Sequence, residues 1–377
     1  MALDDLYDVI IAHAAAVIRQ NHVMCRLVDR NIAAELEAYG GTVNVSVTQP
    51  KTTNPVAPGP TPPGGDRSAP KTVPVTLDHW EDCSFSLTDR DITSMSTASE
   101  FIPNELQEAS IAVANRVDET IFANYTGVYG FAGQPGVTPF ATSTQEAQEV
   151  SLRLIEQGVP MNSVKHLALS PTTYTNAIGL ESLQHADKYG DSAIIKTGQI
   201  PFALGYGWHA CQNSPQHITG AAGVPLVAGA GQTGEILVAD GFTAAPNPGD
   251  VFTLAGSTQT YAVIAASPLA GTQSTLSIAP AITIPPPDNA LLSFKASHRV
   301  SLGFHPSAFA FACRVAAGVT IPDRGPVVRT FVDDGPNGSG LIFTLRVNPE
   351  HYQTSFYLSC MWGTRLVDAR KAVRLAG

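Results

Sequence analysis

Charge is scarce in this chain. Lys, Arg, Asp and Glu together make up 14% of its 377 residues, and the formal net charge is −10. No cluster of Lys and Arg stands out, which excludes a chain whose main task is gripping nucleic acid, because neutralising phosphates needs such clusters. Arg365, Arg370, Lys371 and Arg374 come closest, but they sit among Val367, Val373 and Leu375 and read as the solvated side of a terminal segment. Cysteine is sparse too. Cys25, Cys83, Cys211, Cys313 and Cys360 are scattered, odd in number and free of any Cys-x-x-Cys pair, so neither a disulfide framework nor a zinc site is expected. No run approaches the ~18 apolar residues of a membrane span. The N-terminus lacks the basic and apolar regions of a secretion signal, and folding in a reducing cytosol is the expectation.

The common catalytic signatures are absent as well. There is no Gly-x-Ser-x-Gly elbow, no Walker lysine loop, and no His-x-x-x-His or His-Glu pair among the ten histidines. Gly229 to Gly234 spells a dinucleotide fingerprint, but Glu235 to Asp240 reads as a strand where a helix would have to follow, so a turn is expected and no cofactor. Asp333 to Gly338 is a tight loop, because Pro336 and the missing distant Glu spoil a calcium-binding pattern. Isolated His209 and His305 read as packing or cap residues. Asp89, Asp91 and Glu100 could form an acid pair of the glycosidase type, although nothing in their spacing requires it.

What is plentiful is apolar and turn-forming material: 44% hydrophobic residues, 32 Gly and 28 Pro. Leu3, Leu6, Val9, Ile10, Ala14, Val17 and Ile18 recur at helical spacing, giving a first helix with one sticky face. A second short helix is expected around Ile32 to Leu36, ended by Gly40 and Gly41. Val43, Val45 and Val47 alternate as a strand, and Val73, Val75 and Leu77 supply its hairpin partner, with pairing resuming through Phe85 and Leu87. Between them, Pro50 to Pro70 can form neither helix nor ladder and makes a long loop tip. Such a ribbon has little core of its own.

Leu106, Ala109, Val113, Val117 and Ile121 fall on one face of a long helix expected over Ser99 to Tyr125, which at ~1.5 Å per residue spans roughly 40 Å. Shorter helices are expected at Thr144 to Gln157 and from Pro171 to Ile178, with a buried strand at His166 to Ser170. From Gly220 to about Ile284 short strands separated by turns such as Asn247-Pro248-Gly249-Asp250 make a small all-β module, with Val238, Val251, Phe252, Leu254, Tyr261 and Val263 as its core. A helix at Ser307 to Ala316 and long strands at Leu341 to Val347 and Gln353 to Trp362 follow. The chain is therefore α+β with a β module inserted into a larger unit.

This order of elements resembles the major capsid proteins of tailed bacteriophages, with an HK97-like fold, in the short-tailed-phage coat branch that carries an inserted antiparallel β-barrel. The residues that carry the resemblance are Ser84 to Thr88 before the long helix, Thr197 to Ile200 with Gly205 to Trp208, Asn213 to Pro215, Gly249 to Gly256, and Leu302 to Ala310. The resemblance implies an N-terminal arm over 1–41, an extended hairpin arm over 42–88, and a peripheral domain with a spine helix over 89–160 and 341–377. It further implies an axial domain over 161–212 and 298–340 and an inserted barrel over 213–297. It implies a structural subunit with no enzymatic activity, no cofactor and no bound metal. Its partners would be copies of itself in hexamers and pentamers, a scaffolding protein, a portal and a decoration protein, with packaged DNA met only non-specifically and no membrane. The place implied is the virion, after assembly in the host cytoplasm. Because the chain opens on its docking helix, a separate scaffolding protein is expected. Leu6, Ile10, Val17, Val73, Val75, Leu77 and Trp80 are the expected contacts between subunits. Lys51 near the arm tip has no identifiable Asn partner with an assisting acid, so no covalent cross-link is expected. The rivals are a phage tail or decoration protein and a carbohydrate-active enzyme with a β accessory module.

Overall fold

A computed structural model describes residues 22–30, 41–47, 53, 71–88, 90, 98–184, 196–200, 202–314, 327–332 and 341–377. The first helix expected from the sequence, the second at Ile32 to Leu36, most of the proline-rich tip, the Asp333 loop and the Asp89, Asp91 pair lie outside these residues. In chain order the elements are α1 (Met24–Leu27), β1 (Thr42–Val47), β2 (Lys71–Thr76), β3 (His79–Thr88), α2 (Ala98–Ala123), β4 (Gly130–Gly133), α3 (Gln145–Glu156), β5 (His166–Leu169) and α4 (Pro171–Gly179). After α5 (Glu181–Gln184) come β6 (Phe202–Ala203), β7 (Tyr206–Ala210), β8 (Gln216–His217), β9 (Ala222–Val227), β10 (Gly234–Ala244), β11 (Val251–Leu254), β12 (Thr260–Ala266), β13 (Ser274–Ile282) and β14 (Leu292–Phe294). The chain closes with β15 (His298–Phe304), β16 (Phe309–Arg314), β17 (Val327–Val332), β18 (Ile342–Glu350), β19 (Gln353–Leu366) and β20 (Ala372–Ala376).

The long helix α2 forms as the sequence predicts and runs 26 residues, about 39 Å at 1.5 Å per residue. Its buried face, with Leu106, Ala109, Val113, Val117 and Ile121, lies under a five-stranded antiparallel sheet whose main path is β16-β19-β18-β17, with β3 on β19. Period-two alternation sends Phe343, Leu345 and Val347 of β18 and Phe356, Leu358, Cys360 and Trp362 of β19 down onto the helix. The Trp362 indole donates to Thr120 Oγ1 at 2.8 Å, which satisfies its one polar atom inside the core. From α2, Asp118 accepts the backbone N–H groups of Val23 and Met24 at 3.0 and 3.1 Å, and His22 Nδ1 lies 2.6 Å from the same carboxylate. A single buried Asp thus anchors α1 to the long helix.

A second, mixed sheet runs β4-β20-β15-β5-β7-β6, with β8 beside β15. It is covered on both faces. Ala168, Val300, Leu302, Phe304 and Ala372 point into the core shared with α2, whereas Leu167, Leu169, Val373 and Leu375 point into a second core lined by α3 and α4. A Cβ on Gly303 would collide with Val150 of α3, so that helix lies close enough to the sheet to require glycine there. Sheet membership groups the elements across the expected domain bounds. The strands β4 and β20 and the helix α3 belong with β5, β7 and β15, not with the long helix, and β16 and β17 join the five-stranded sheet.

Of the run expected to be helical at Ser307 to Ala316, the described part, to Arg314, is not an α-helix. Pro306–Ala308 makes one 3-10 turn, capped by His305 accepting from Ser307 N as expected of a cap residue, and Phe309–Arg314 is extended. A strand buried on both faces carries no polar alternation to mark it, so a short apolar run cannot be told from a helix by period. Here Phe309, Phe311 and Cys313 face α2, while Ala310 and Ala312 face the ribbon β1–β2. That ribbon pairs antiparallel from Thr42↔Thr76 to Val47↔Lys71. Strand β3 does not continue it but pairs along β19, where Phe85 stacks on Phe356 at 4.9 Å. The crossing from β2 to β3 passes directly over Gly363, where any Cβ would overlap Thr76 O.

The β module is a six-stranded sheet, β14-β11-β12-β13-β10-β9, wrapped round a core of Leu237, Phe242, Phe252, Leu254, Tyr261, Val263, Leu276, Ile278 and Leu292. Four of the six expected core residues sit in it. Val238 does not: a register shift between Gly234 and Ile236 moves Leu237 and Ala239 inward and leaves Val238 half-buried. Val251 is buried at 1% exposure, but it packs with Tyr129, Phe131, Ala262 and Ala376, at the seam between the module and the rest of the chain.

Candidate functional site

The seam is the most polar buried place among the described residues. The two strands that carry the chain into and out of the β module pair at His217↔His298, and Thr219 Oγ1 donates to Lys295 O at 2.8 Å. Asp250, which ends the Asn247-Pro248-Gly249-Asp250 turn, accepts the N–H groups of Asn247, Gly220 and Ala221 on Oδ2 at 3.0, 3.1 and 3.1 Å. Its Oδ1 is 2.9 Å from His217 Nε2, and His217 Nδ1 is 3.1 Å from the Tyr125 hydroxyl. Tyr125 lies in the 3-10 turn that ends α2.

Arg374 closes the arrangement from β20. It is fully buried, donates from Nη1 to Gly249 O at 2.6 Å and from Nη2 to Thr126 O at 3.1 Å, and lies over the Tyr125 ring at 5.0 Å. One guanidinium therefore holds the end of the long helix and the first turn of the β module to the C-terminal strand. The sequence reading of Arg374 as solvated is corrected. The strand β20 is buried at every position, so its apolar residues and its arginine all face inward.

Burial sets the charges here. It lowers the Arg374 guanidinium to about 9, partly offset by Tyr125 and Asp250, and it pushes the Tyr125 phenol up. Burial also holds His298 down to about 4, against a backbone hydrogen bond from Nδ1 to Ala296 O at 2.8 Å that favours the proton. Among the described residues His298 Nε2 and Arg374 Nε have no protein partner. A second histidine pair lies on β5 and β7, with His209 Nε2 3.3 Å from His166 Nδ1; burial and then His166 hold His209 down to about 4. The row Tyr125, His217, Asp250 has the connectivity of an acid-base relay. With Asp250 at 0% and His217 at 3% exposure, however, no substrate reaches it, and what it does is fasten three parts of the chain.

The expected subunit contacts divide. Leu6, Ile10 and Val17 lie outside the described residues. Val75 is fully buried in its own chain, packed with Val43 against Ala310 and Ala312, so it offers nothing to a neighbour; Val73 is half-buried, and Leu77 is half-buried against the same cluster. Trp80 is 68% exposed. It stands on the outer face of the five-stranded sheet at the edge of a cleft of about 460 Å³, lined also by Asp82, Arg346, Asn348, Tyr357 and Ser359. The β module exposes Val224, Ile236 and Ile284. Among the described residues no group of three or more His, Cys, Asp or Glu could hold a metal ion, and no helix is long and apolar enough to cross a membrane.

No protein-family model matches the chain, and no curated protein does. Solved structures do. A chain of Mycobacterium phage Che8 superposes with a TM-score of 0.52 at 13% identity, covering 94% of this chain and 90% of that one. The capsid structure of cyanophage P-SCSP1u follows at 0.48 and 11% identity, with 93% and 86% covered, and the mature capsid of bacteriophage PhiM1 at 0.45 and 10%, with 90% and 82% covered. The first establishes a likeness of α+β fold along nearly the whole chain; the other two, under 0.5, add nothing to it.

Proposed function

We propose that this chain is a major capsid protein, the coat subunit that builds the icosahedral head of a tailed phage around its double-stranded DNA, with an HK97-like fold. The observation that carries the reading is the whole-chain likeness of fold to the phage Che8 chain, at 94% coverage. The arrangement of the molecule supports it. A 26-residue helix under a five-stranded sheet that includes β3 serves as the spine of a peripheral domain, the mixed sheet with α3 and α4 is the axial domain, and the extended arm is the ribbon β1–β2 with the segment that joins its strands. The module between β8 and β15 is the inserted barrel, locked to both domains by Asp250 and Arg374. The role is structural, not catalytic. Its partners are copies of itself in hexamers and pentamers, then scaffold, portal and decoration proteins, with DNA met without specificity inside an acidic wall. Trp80 and the half-buried Val73 and Leu77 of the arm, with the N-terminal residues Leu6, Ile10 and Val17, are the contacts between subunits.

Sedimentation velocity of the full chain produced in bacteria together with its scaffold tests this. Particles of many tens of subunits are expected. Trimers or tubes would favour the decoration or tail reading, and a monomer at every concentration would refute a shell.

A further inference from the structure

Three of the five cysteines meet in the core between α2 and the five-stranded sheet. Cys313 of β16 and Cys360 of β19 are buried there as free thiols, and Cys25 of α1 lies in the same cluster. The ladder from Phe309↔Leu366 to Arg314↔Met361 puts Cys313 opposite Trp362, so Cys360, the next inward position on β19, is its diagonal neighbour on the face turned to α2. Their sulfurs are 3.5 Å apart. Both thiols stand within donating distance of one backbone oxygen, Ile342 O of β18, at 3.4 Å from Cys313 and 3.3 Å from Cys360, and Ile342 N donates to Cys313 Sγ at 3.2 Å. One peptide group thus gathers the pair.

A disulfide bond is about 2.05 Å long, so the two sulfurs have to close by about 1.5 Å. Cys313 is one residue from the end of β16, where its ladder with β19 also ends, and a strand end moves at little cost to the sheet. The bond gives up only two weak S–H donors to Ile342 O. In exchange it closes a loop of 47 positions that carries β17 and β18, which restricts the unfolded chain. It also fixes β16, whose other face holds the ribbon β1–β2 through Ala310 and Ala312. The Cys313 thiol beside it and burial push the Cys360 thiol well above the ordinary range, so closure is slow and needs an oxidant small enough to enter the core.

We propose that Cys313 and Cys360 are an oxidative modification site, reduced when the chain folds and joined by a peroxide into a disulfide that staples β16 to β19. One sulfur attacks the peroxide, breaking its O–O bond to give a sulfenic acid and water; the other attacks that sulfur, forming the S–S bond and releasing the hydroxyl, with its own proton, as a second water. Two thiols and one peroxide become one disulfide and two waters, and the two electrons lost by sulfur are gained by the peroxide oxygens. The pairing rests on geometry. Its timing, after the coat has left a cytosol that keeps thiols reduced, rests on the shell reading.

The test treats the purified, folded full chain with hydrogen peroxide and maps its peptides by mass spectrometry without reductant. A linked Cys313–Cys360 peptide is expected, lost on adding dithiothreitol, together with a melting temperature about 5 °C above that of the reduced chain. In Cys313→Ala and in Cys360→Ala the link and the rise between reduced and oxidised samples should both be gone; where a variant does not fold, the map of the unaltered chain still decides. Both thiols remaining open to alkylation after the half-exposed Cys83 has been oxidised would overturn the proposal. So would a link from either residue to Cys25 or to a second chain. Cells lysed directly into an alkylating reagent should yield both thiols free, and a bridge already closed there would contradict the reduced starting state. A bridge in a chain that forms no particles would refute the shell and leave the pair standing, whereas particles whose pair ignores peroxide would do the reverse.

Discussion

The β module and the hairpin arm are both built from short alternating strands, yet one is complete in itself and the other is not. The module packs six strands around an apolar core of its own, at Phe252 and Val263, and meets the rest of the chain at the polar seam around Asp250. The arm covers only one of its faces, Val43 and Val75 against Ala310 and Ala312, and leads into the exposed Trp80. The difference lies in strand number, not in strand propensity: a ribbon of two strands cannot enclose a core, so its stability depends on what it packs against.

The largest effect should come from opening the module. Phe252 is itself fully buried against the Tyr261 and Phe294 rings, so Phe252→Ala leaves a cavity and should cost about 3–5 kcal/mol in urea unfolding, assembled or not. Next comes the seam. Arg374→Ala strands the Gly249 and Thr126 carbonyls in the interior and should cost about 2–4 kcal/mol, with hydrogen exchange rising at residues 124–127 and 216–221 while the module's own strands stay protected. Protection lost evenly across the module would show that it does not stand by itself.

Acid should weaken the same seam. His298 is neutral in the folded chain down to about 4, whereas in the unfolded chain it takes its proton near 6.5. Its contribution is therefore whole above pH 6.5 and drains away as pH falls toward 4, by on the order of 2–3 kcal/mol, with His209 adding to the slope. Urea midpoints at pH 7 and pH 4.5 measure this, and His298→Gln should flatten the difference. The smallest effect on the isolated subunit is expected at the arm. Trp80→Ala should shift its melting temperature by no more than about a degree, because an exposed ring has little to lose, while particle yield falls sharply. A variant that melts early would place Trp80 in the subunit's own packing.

Much of this was legible in the sequence, and two of the failures share one cause. The long helix announces itself through Leu106, Ala109, Val113, Val117 and Ile121, and the module through its turns, because each has one wet face to set a period. Where both faces are covered the period disappears: Phe309–Arg314 looked helical, and Arg374 looked solvated between Val373 and Leu375. The bulge near Gly234 turned the strand over and exchanged Val238 for Leu237, a slip no local residue reveals. The seam was invisible for a different reason. Tyr125, His217, Asp250, His298 and Arg374 are spread across 250 positions of the chain and meet only once it has folded, and the one local cue was an aspartate ending an Asn-Pro-Gly turn.

The most direct measurement is a cryo-electron microscopy map of the full chain purified after assembly with its scaffold. Closed icosahedral shells are expected, with residues 48–70 of each copy lying on a different copy. A particle holding a single chain, its proline-rich tip folded back to finish its own core, would contradict the shell and the division of labour between module and arm together.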